Sequence, residues 1–209
     1  MNAMTPEGVI RFCVECETGK ACDASEIEDL ETWRAELQKR GWLGHDPCRY
    51  GGLGFGNLSK RLADGTFLIT GSQTSRLPKL TPTEYAKIIE FNLERNWVRA
   101  VGLTKPSSEV LTHLAIYGSL STAMYVFHTH VPEIWNRRRE LNLPATNSKV
   151  QYGTIEMFRE VERLLQDRTV SQLGILAMGG HQDGIMTWAQ TADGAGTTLL
   201  QFVAPRRNI

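Results

Sequence analysis

Ala123-Met124-Tyr125-Val126-Phe127-His128-Thr129-His130-Val131-Pro132 is the stretch from which the rest of the chain is read. Ala123 to Phe127 is mostly apolar and rich in strand formers. Side chains alternate between the faces of a strand, so His128 and His130 point the same way. Two imidazoles on one face are half of a zinc site. Pro132 cannot donate to a ladder, which puts the pair at a strand end beside a loop. A lone His-x-His is a weak motif, and its meaning depends on what else the chain brings to it.

Towards the carboxyl terminus, Glu133, Ile134 and Trp135 lead into Arg137-Arg138-Arg139, a solvated helix face or a contact for substrate or a second subunit. Gly153-Thr154 opens a helix that turns Met157, Val161, Leu164 and Leu165 inward. Leu173 to Met178 reads as a buried strand, followed by a tight turn, Gly179 to Gly184, that carries His181. Ile185 to Ala189 returns. Asp193-Gly194-Ala195-Gly196 reads as a further turn, and Thr197 to Val203 as the closing strand of an antiparallel meander.

Towards the amino terminus, Pro106-Ser107-Ser108-Glu109 opens a helix to about Tyr117, with a serine as cap and Glu109 in the first turn. His113 lies one turn after Glu109, and the spacing suits a half-buried pair. Val98 to Leu103 is a strand. Thr81-Pro82-Thr83-Glu84 has every mark of a helix start, and Tyr85, Ile88, Ile89 and Asn92 would form its inward face. Asp64-Gly65 is a hairpin turn between strands 58–62 and 66–69. Gly51, Gly52, Gly54 and Gly56 lead into Asn57, and Thr70-Gly71-Ser72 forms a second loop. Such loops suit either surface turns or backbone close to an anion. Val9 to Phe12 reads as a short strand. Ser25 to Glu28 reads as a capping box for a helix that buries Ile27, Leu30, Trp33 or Arg34, and Leu37, and stops at Gly41.

The 209 residues suit one sizeable core. Lys plus Arg and Asp plus Glu are 23 each, so bulk charge gives no support for nucleic-acid or anionic-membrane binding. No apolar run approaches the ~18 residues of a membrane span, and no signal peptide is visible. The expected location is the cytoplasm. Cys13-x-x-Cys16 has the spacing of half a zinc knuckle, but Cys22 and Cys48 do not make a second close pair. Reduced thiols are the simpler reading. With no repeat or linker, residues 1–209 read as one domain: a helical segment over 1–48 and a core over 49–205.

Taken in order, Gly56-Asn57-Leu58-Ser59, Thr70-Gly71-Ser72, Pro106-Ser107-Ser108-Glu109 with His113 and Tyr117, His128-Thr129-His130, and His181 in a glycine turn resemble the class II aldolase/adducin family. The resemblance spans about residues 50–190. It implies a three-layer α/β/α domain around a central, mainly antiparallel sheet. It implies zinc, or another divalent metal, on His128, His130 and His181, with Glu109 as fourth ligand or as catalytic acid/base. It assigns Asn57, Thr70, Gly71, Ser107 and Ser108 to the substrate's phosphate. The activity implied is aldol cleavage of a ketose or ketose phosphate through an enediolate. A 4-epimerase, a dehydratase (with Glu156 as a faint echo of its acid) and a non-catalytic adducin-like domain are the alternatives. A homotetramer acting on a small sugar or sugar phosphate completes the implication. Two features depart from the family's usual pattern. The second loop lacks a proline, which leaves the group it receives open. Gln182-Asp183 follow His181, so Asp183 either orients that histidine or finishes the turn. Some relatives bring a tyrosine from a neighbouring subunit or the carboxyl terminus; Tyr125, Tyr152 and the tail Arg206-Arg207 are the candidates here, and the sequence places none of them.

Overall fold

The strands are β1 (Cys13–Glu17), β2 (Gly44–His45), β3 (Gly54–Phe55), β4 (Asn57–Arg61), β5 (Phe67–Thr70), β6 (Tyr85–Asn92), β7 (Trp97–Gly102), β8 (Tyr125–His130), β9 (Ile175–Ala177) and β10 (Gly184–Ala189). The helices are α1 (Glu28–Lys39), α2 (Val110–Ser119), α3 (Pro132–Asn136), α4 (Ile155–Leu165), α5 (Arg168–Leu173) and α6 (Ala192–Gln201). They come from a computed structural model that describes residues 7–203. Eight strands form one mixed sheet in the order β1-β7-β6-β5-β4-β8-β10-β9, and β2 pairs with β3 apart from it. Among the described strand pairs of that sheet, β1–β7 is parallel and the others run antiparallel.

Strand alternation sorts the sheet's side chains into two cores. Phe67, Ile69, Val126, Met186 and Trp188 pack with α2 and α4 through Val110, Leu114, Met157 and Val161. Leu58, Leu68, Phe127 and Ile185 pack with α1 and α6 through Leu30, Leu37, Ala195 and Leu199. Because Val126 belongs to the first core, His128 and His130, at even spacing from it, open toward the α2 and α4 side at the end of β8. Thr154 caps α4 by accepting the Met157 amide at 3.2 Å, as its sequence suggests.

Several expectations are corrected. The box at Thr81 and Glu84 forms, but it closes only a single 3₁₀ turn over Pro82–Glu84. The chain then extends as β6 between β5 and β7. A bulge between Ile88 and Glu90 breaks the two-residue period. Tyr85 and Ile88 enter the cores on opposite sides of the sheet and Ile89 is exposed, so the helix-like spacing of Tyr85, Ile88, Ile89 and Asn92 makes no single inward face. Residues 197–203 form no closing strand, because α6 starts at a Thr191 cap that accepts the Gly194 amide at 3.0 Å. Gly196 marks close helix contact, not a turn. A Cβ there would run into the Trp33 ring of α1, whose indole N–H reaches Asp193 at 2.8 Å.

At the amino terminus, residues 9–12 are not a strand; the strand is β1, just after them. The capping box lies at Asp23 and Glu26 rather than at Ser25. α1 does bury Leu30, Arg34 and Leu37. Cys13 and Cys16 are three apart on β1 and so face opposite sides, which removes them as a pinching pair. Both are free thiols, as are Cys22 and Cys48. Among the described residues, no helix is long and apolar enough to cross a membrane.

Candidate metal centre

His128 lies opposite Asn57 of β4 and Met186 of β10, and His130 lies opposite Gly184. The third imidazole arrives from the β9–β10 turn. There the Met178 amide donates to Gly184 O at 2.8 Å, and the His181 amide donates to Met178 O at 3.1 Å. Gly180 is required in this turn because any Cβ would overlap the Val150 carbonyl. The ring centroids are then 5.0 Å apart for His128 and His130, 4.9 Å for His128 and His181, and 4.7 Å for His130 and His181. All three rings are buried, and one ring nitrogen from each lies within 4.8 Å of the others.

Burial presses His128 down to about 3 and His130 well below the normal imidazole range, with the neighbouring histidines adding to the latter. Both rings are therefore neutral, the form in which imidazole donates to a metal. Both nitrogens of His128 and of His130 lack a hydrogen-bond partner among the described residues, as does Oδ1 of Asn57 beside them. Each such atom costs about 1–3 kcal/mol when left dry, so the cluster suits a bound cation. His181 behaves differently. Burial opposes its charge, but Glu7 and Glu109 outweigh burial and raise it to about 10. Glu7 Oε2 lies 2.8 Å from its Nε2 and Glu109 Oε1 3.2 Å from its Nδ1.

Glu109 is the N-cap of α2, with no side-chain cap bond at that position. The expected serine cap is replaced by a local bond, in which Ser107 Oγ accepts the Glu109 amide at 3.3 Å. Thr112 Oγ1 donates to Glu109 Oε2 at 2.7 Å, which orients the carboxylate and leaves Oε1 toward His181. His113 does not pair with Glu109. It is fully buried, and its Nδ1 meets Ser59 Oγ at 2.7 Å, where Tyr117 Oη also bonds at 2.7 Å.

The remaining predicted site residues meet around the start of α2. Thr70 Oγ1 accepts the Leu58 amide at 3.3 Å, and Thr70 O accepts the Ser107 amide at 3.2 Å. Asn57, Thr70, Ser107 and Ser108 are all buried. Gly71 differs from its expected role, since its amide is committed to Glu84 O at 2.8 Å and cannot also hold an anion. A Cβ at Gly71 would meet Thr104 and that same carbonyl, so its smallness serves the loop packing. The Gly54 amide is likewise taken, by Gln73 Oε1 at 2.9 Å.

Sequence reasoning missed Glu7 and Tyr50 altogether and left Tyr152 unplaced. The Tyr152 ring stacks on His181 at 4.5 Å, and Tyr50 lies edge-on to His130 at 4.5 Å. Asp183 does not orient His181. It sits at a positive φ of 62° and accepts the Tyr50 hydroxyl at 2.6 Å, so it finishes the turn and anchors that tyrosine. No local pattern marks any of these contacts. Tyr125 bonds Asp29 instead of facing the histidines, and Arg206 and Arg207 lie outside the described residues. Glu156 is exposed on α4. Trp135 rests against its own chain, with its indole N–H on Met178 O at 3.0 Å and the Arg138 guanidinium 3.9 Å over its ring.

A family model described as "Class II Aldolase and Adducin N-terminal domain" matches residues 49–203. Among solved structures, the chain is similar to YgbL of Escherichia coli, a candidate aldolase/epimerase/decarboxylase (20% identity, 85% of this chain and 84% of that one, TM-score 0.62). It is similar to L-fuculose-1-phosphate aldolase of Thermus thermophilus (19%, 83% and 88%, TM-score 0.54). A sugar-phosphate aldolase of Thermotoga maritima aligns at 14% identity over 85% and 90% of the chains, with TM-score 0.60. No curated protein sequence matches the chain. These identities speak to the fold.

Proposed function

The chain belongs to the class II aldolase and adducin family, and from that premise we propose that it is a zinc-dependent aldolase that cleaves a ketose or ketose phosphate between its third and fourth carbons. The observation that carries this reading is the buried cluster of His128, His130 and His181, neutral at two of its three rings, with the Glu109 carboxylate against the third. Zinc held by the three imidazoles would supply Lewis-acid polarisation of the substrate carbonyl. Glu109 is the proton carrier. Thr112 fixes its Oε2, so Oε1 is the atom that takes and returns a proton at the substrate carbon. The side-chain N–H group of Asn57 and the hydroxyls of Thr70, Ser107 and Ser108 orient the polar end of the substrate at the start of α2, where the helix dipole favours an anion. The reading of that end as phosphate rests on the family pattern. Gly71 contributes packing to this pocket rather than its amide.

The same reading takes residues 1–209 as one three-layer α/β/α domain, supported by the two cores on opposite sides of the sheet. It also takes the protein as cytoplasmic and as a homotetramer, both on the family pattern. Sedimentation at micromolar concentration tests the tetramer, and a mass near the 23.4 kDa of one chain overturns it.

Metal analysis and product analysis together test the activity. Protein purified without chelator should carry about one zinc per chain, and His128→Ala should lose it. The loaded enzyme should release a ketone fragment and an aldehyde from a member of a ketose and ketose-phosphate panel. Recovery of an intact epimer would replace cleavage by epimerisation, and a protein without metal or turnover would return the fold to a binding role.

A further inference from the structure

Glu7 belongs to none of the sequence motifs, yet it reaches the centre of the histidine cluster from the far amino-terminal end of the described chain. Its Oε2 lies 2.8 Å from His181 Nε2 and its Oε1 4.0 Å from His130 Nε2. Its side chain is only 9% exposed. Two donors on one tetrahedral zinc stand about 3.3 Å apart, from metal–ligand lengths near 2.0–2.1 Å. The two observed separations, each to a different carboxylate oxygen, fall on either side of that figure. The carboxylate thus faces the Nε2 atoms of both rings, while Glu109 lies on the opposite, Nδ1 side of His181.

The segment that carries Glu7 is seated, not merely nearby. The Val9 amide donates to Tyr152 Oη at 3.1 Å, and the Arg11 guanidinium stands 5.6 Å over the Tyr152 ring. Tyr152 in turn stacks on His181 at an interplanar angle of 25°. Phe12 then enters the core shared with α2 and α4. One aromatic ring thus registers both the third histidine and the strap of residues 7–11 that crosses it.

Resting on the metal-centre reading above, we propose that Glu7 is the fourth protein ligand of the resting metal centre and that it holds the coordination position an incoming chelating substrate must take. The strap is then an internal competitor. It strengthens metal retention and weakens capture of any exogenous oxygen chelator. A residue with only a packing role would not push those two affinities in opposite directions.

The test uses the full chain and its Glu7→Gln variant, each loaded with zinc, and with cobalt for spectroscopy. Zinc affinity is measured against a chromophoric chelator, and acetohydroxamate, a small bidentate oxygen ligand, is titrated into the loaded protein. Glu7→Gln should bind zinc at least tenfold more weakly and acetohydroxamate several-fold more tightly, with a changed visible spectrum of the cobalt form. Tyr152→Phe, which keeps the ring but loses the Val9 bond, should move both affinities in the same directions by less. Zinc and acetohydroxamate affinities equal to those of the parent chain would overturn the proposal and leave the metal centre standing. A fall in both affinities would assign Glu7 to packing and also overturn it. If the parent chain binds no zinc at all, the metal-centre reading fails first and this inference fails with it.

Discussion

His113→Leu should remove a large part of the acid sensitivity of this fold. His113 is fully buried in α2, and burial depresses it from 6.5 to about 3. Its folded-state value lies below its unfolded value, so the unfolded chain binds the extra proton. Stability is complete above the unfolded value, falls as pH drops below about 6.5, and stops falling near the folded value. At pH 5 about 97% of unfolded chains carry that proton and about 1% of folded ones do, which costs about 2 kcal/mol relative to neutral pH. Any folded value below about 4 gives nearly the same result at pH 5, so the magnitude is insensitive to the depth of the depression. At pH 7 the substitution should cost only about 1 kcal/mol. It deletes one bond to Ser59, which keeps Tyr117 Oη at 2.7 Å and Val126 O at 3.4 Å. Urea unfolding at pH 7 and pH 5, at one protein concentration, measures the difference. The parent chain should lose about 2 kcal/mol more than His113→Leu between the two. Equal losses in both proteins would refute the reasoning, because every other titrating group is common to them.

Glu109→Gln should lower kcat by about 10²–10⁴ while leaving zinc content in place, and a loss under tenfold would remove Glu109 from proton transfer. Gly196→Leu should force Trp33 off α6 and cost about 2 kcal/mol, the overpacking term exceeding the gain in helix propensity. Calorimetry should see that as a Tm lower by roughly 4–8 °C, and an unchanged Tm would contradict the close α1–α6 contact. A double Cys13→Ser, Cys16→Ser variant should retain its full zinc content, since the two thiols face opposite sides of β1. Loss of zinc in that variant would place the metal elsewhere.

Local pattern carried the reading wherever one element decides its own partners. The alternation in β8 aligned His128 with His130 before any neighbour was known, because side-chain direction in a strand depends on the backbone alone. The same holds for α4, where Thr154 and the spacing of Met157, Val161 and Leu165 set both cap and buried face. The family pattern located Glu109 and His181 in sequence. Other features were invisible because they depend on distant chain. The Thr81 box looked like a helix start, yet β5 offered ladder partners to Tyr85–Ile88 and β7 to Ala86–Asn92, and those distant strands decided the segment. Gly194 and Gly196 looked like a turn until α1 supplied the Trp33 ring that requires a small residue. His113 could face Glu109 or the sheet, and only the position of Ser59 decided it. Glu7 and Tyr152, 145 residues apart by their numbering, carry no joint signal in one chain. Their meeting over His181 is a tertiary event, in which the strap ahead of β1, the loop ahead of α4 and the β9–β10 turn converge on one buried ring.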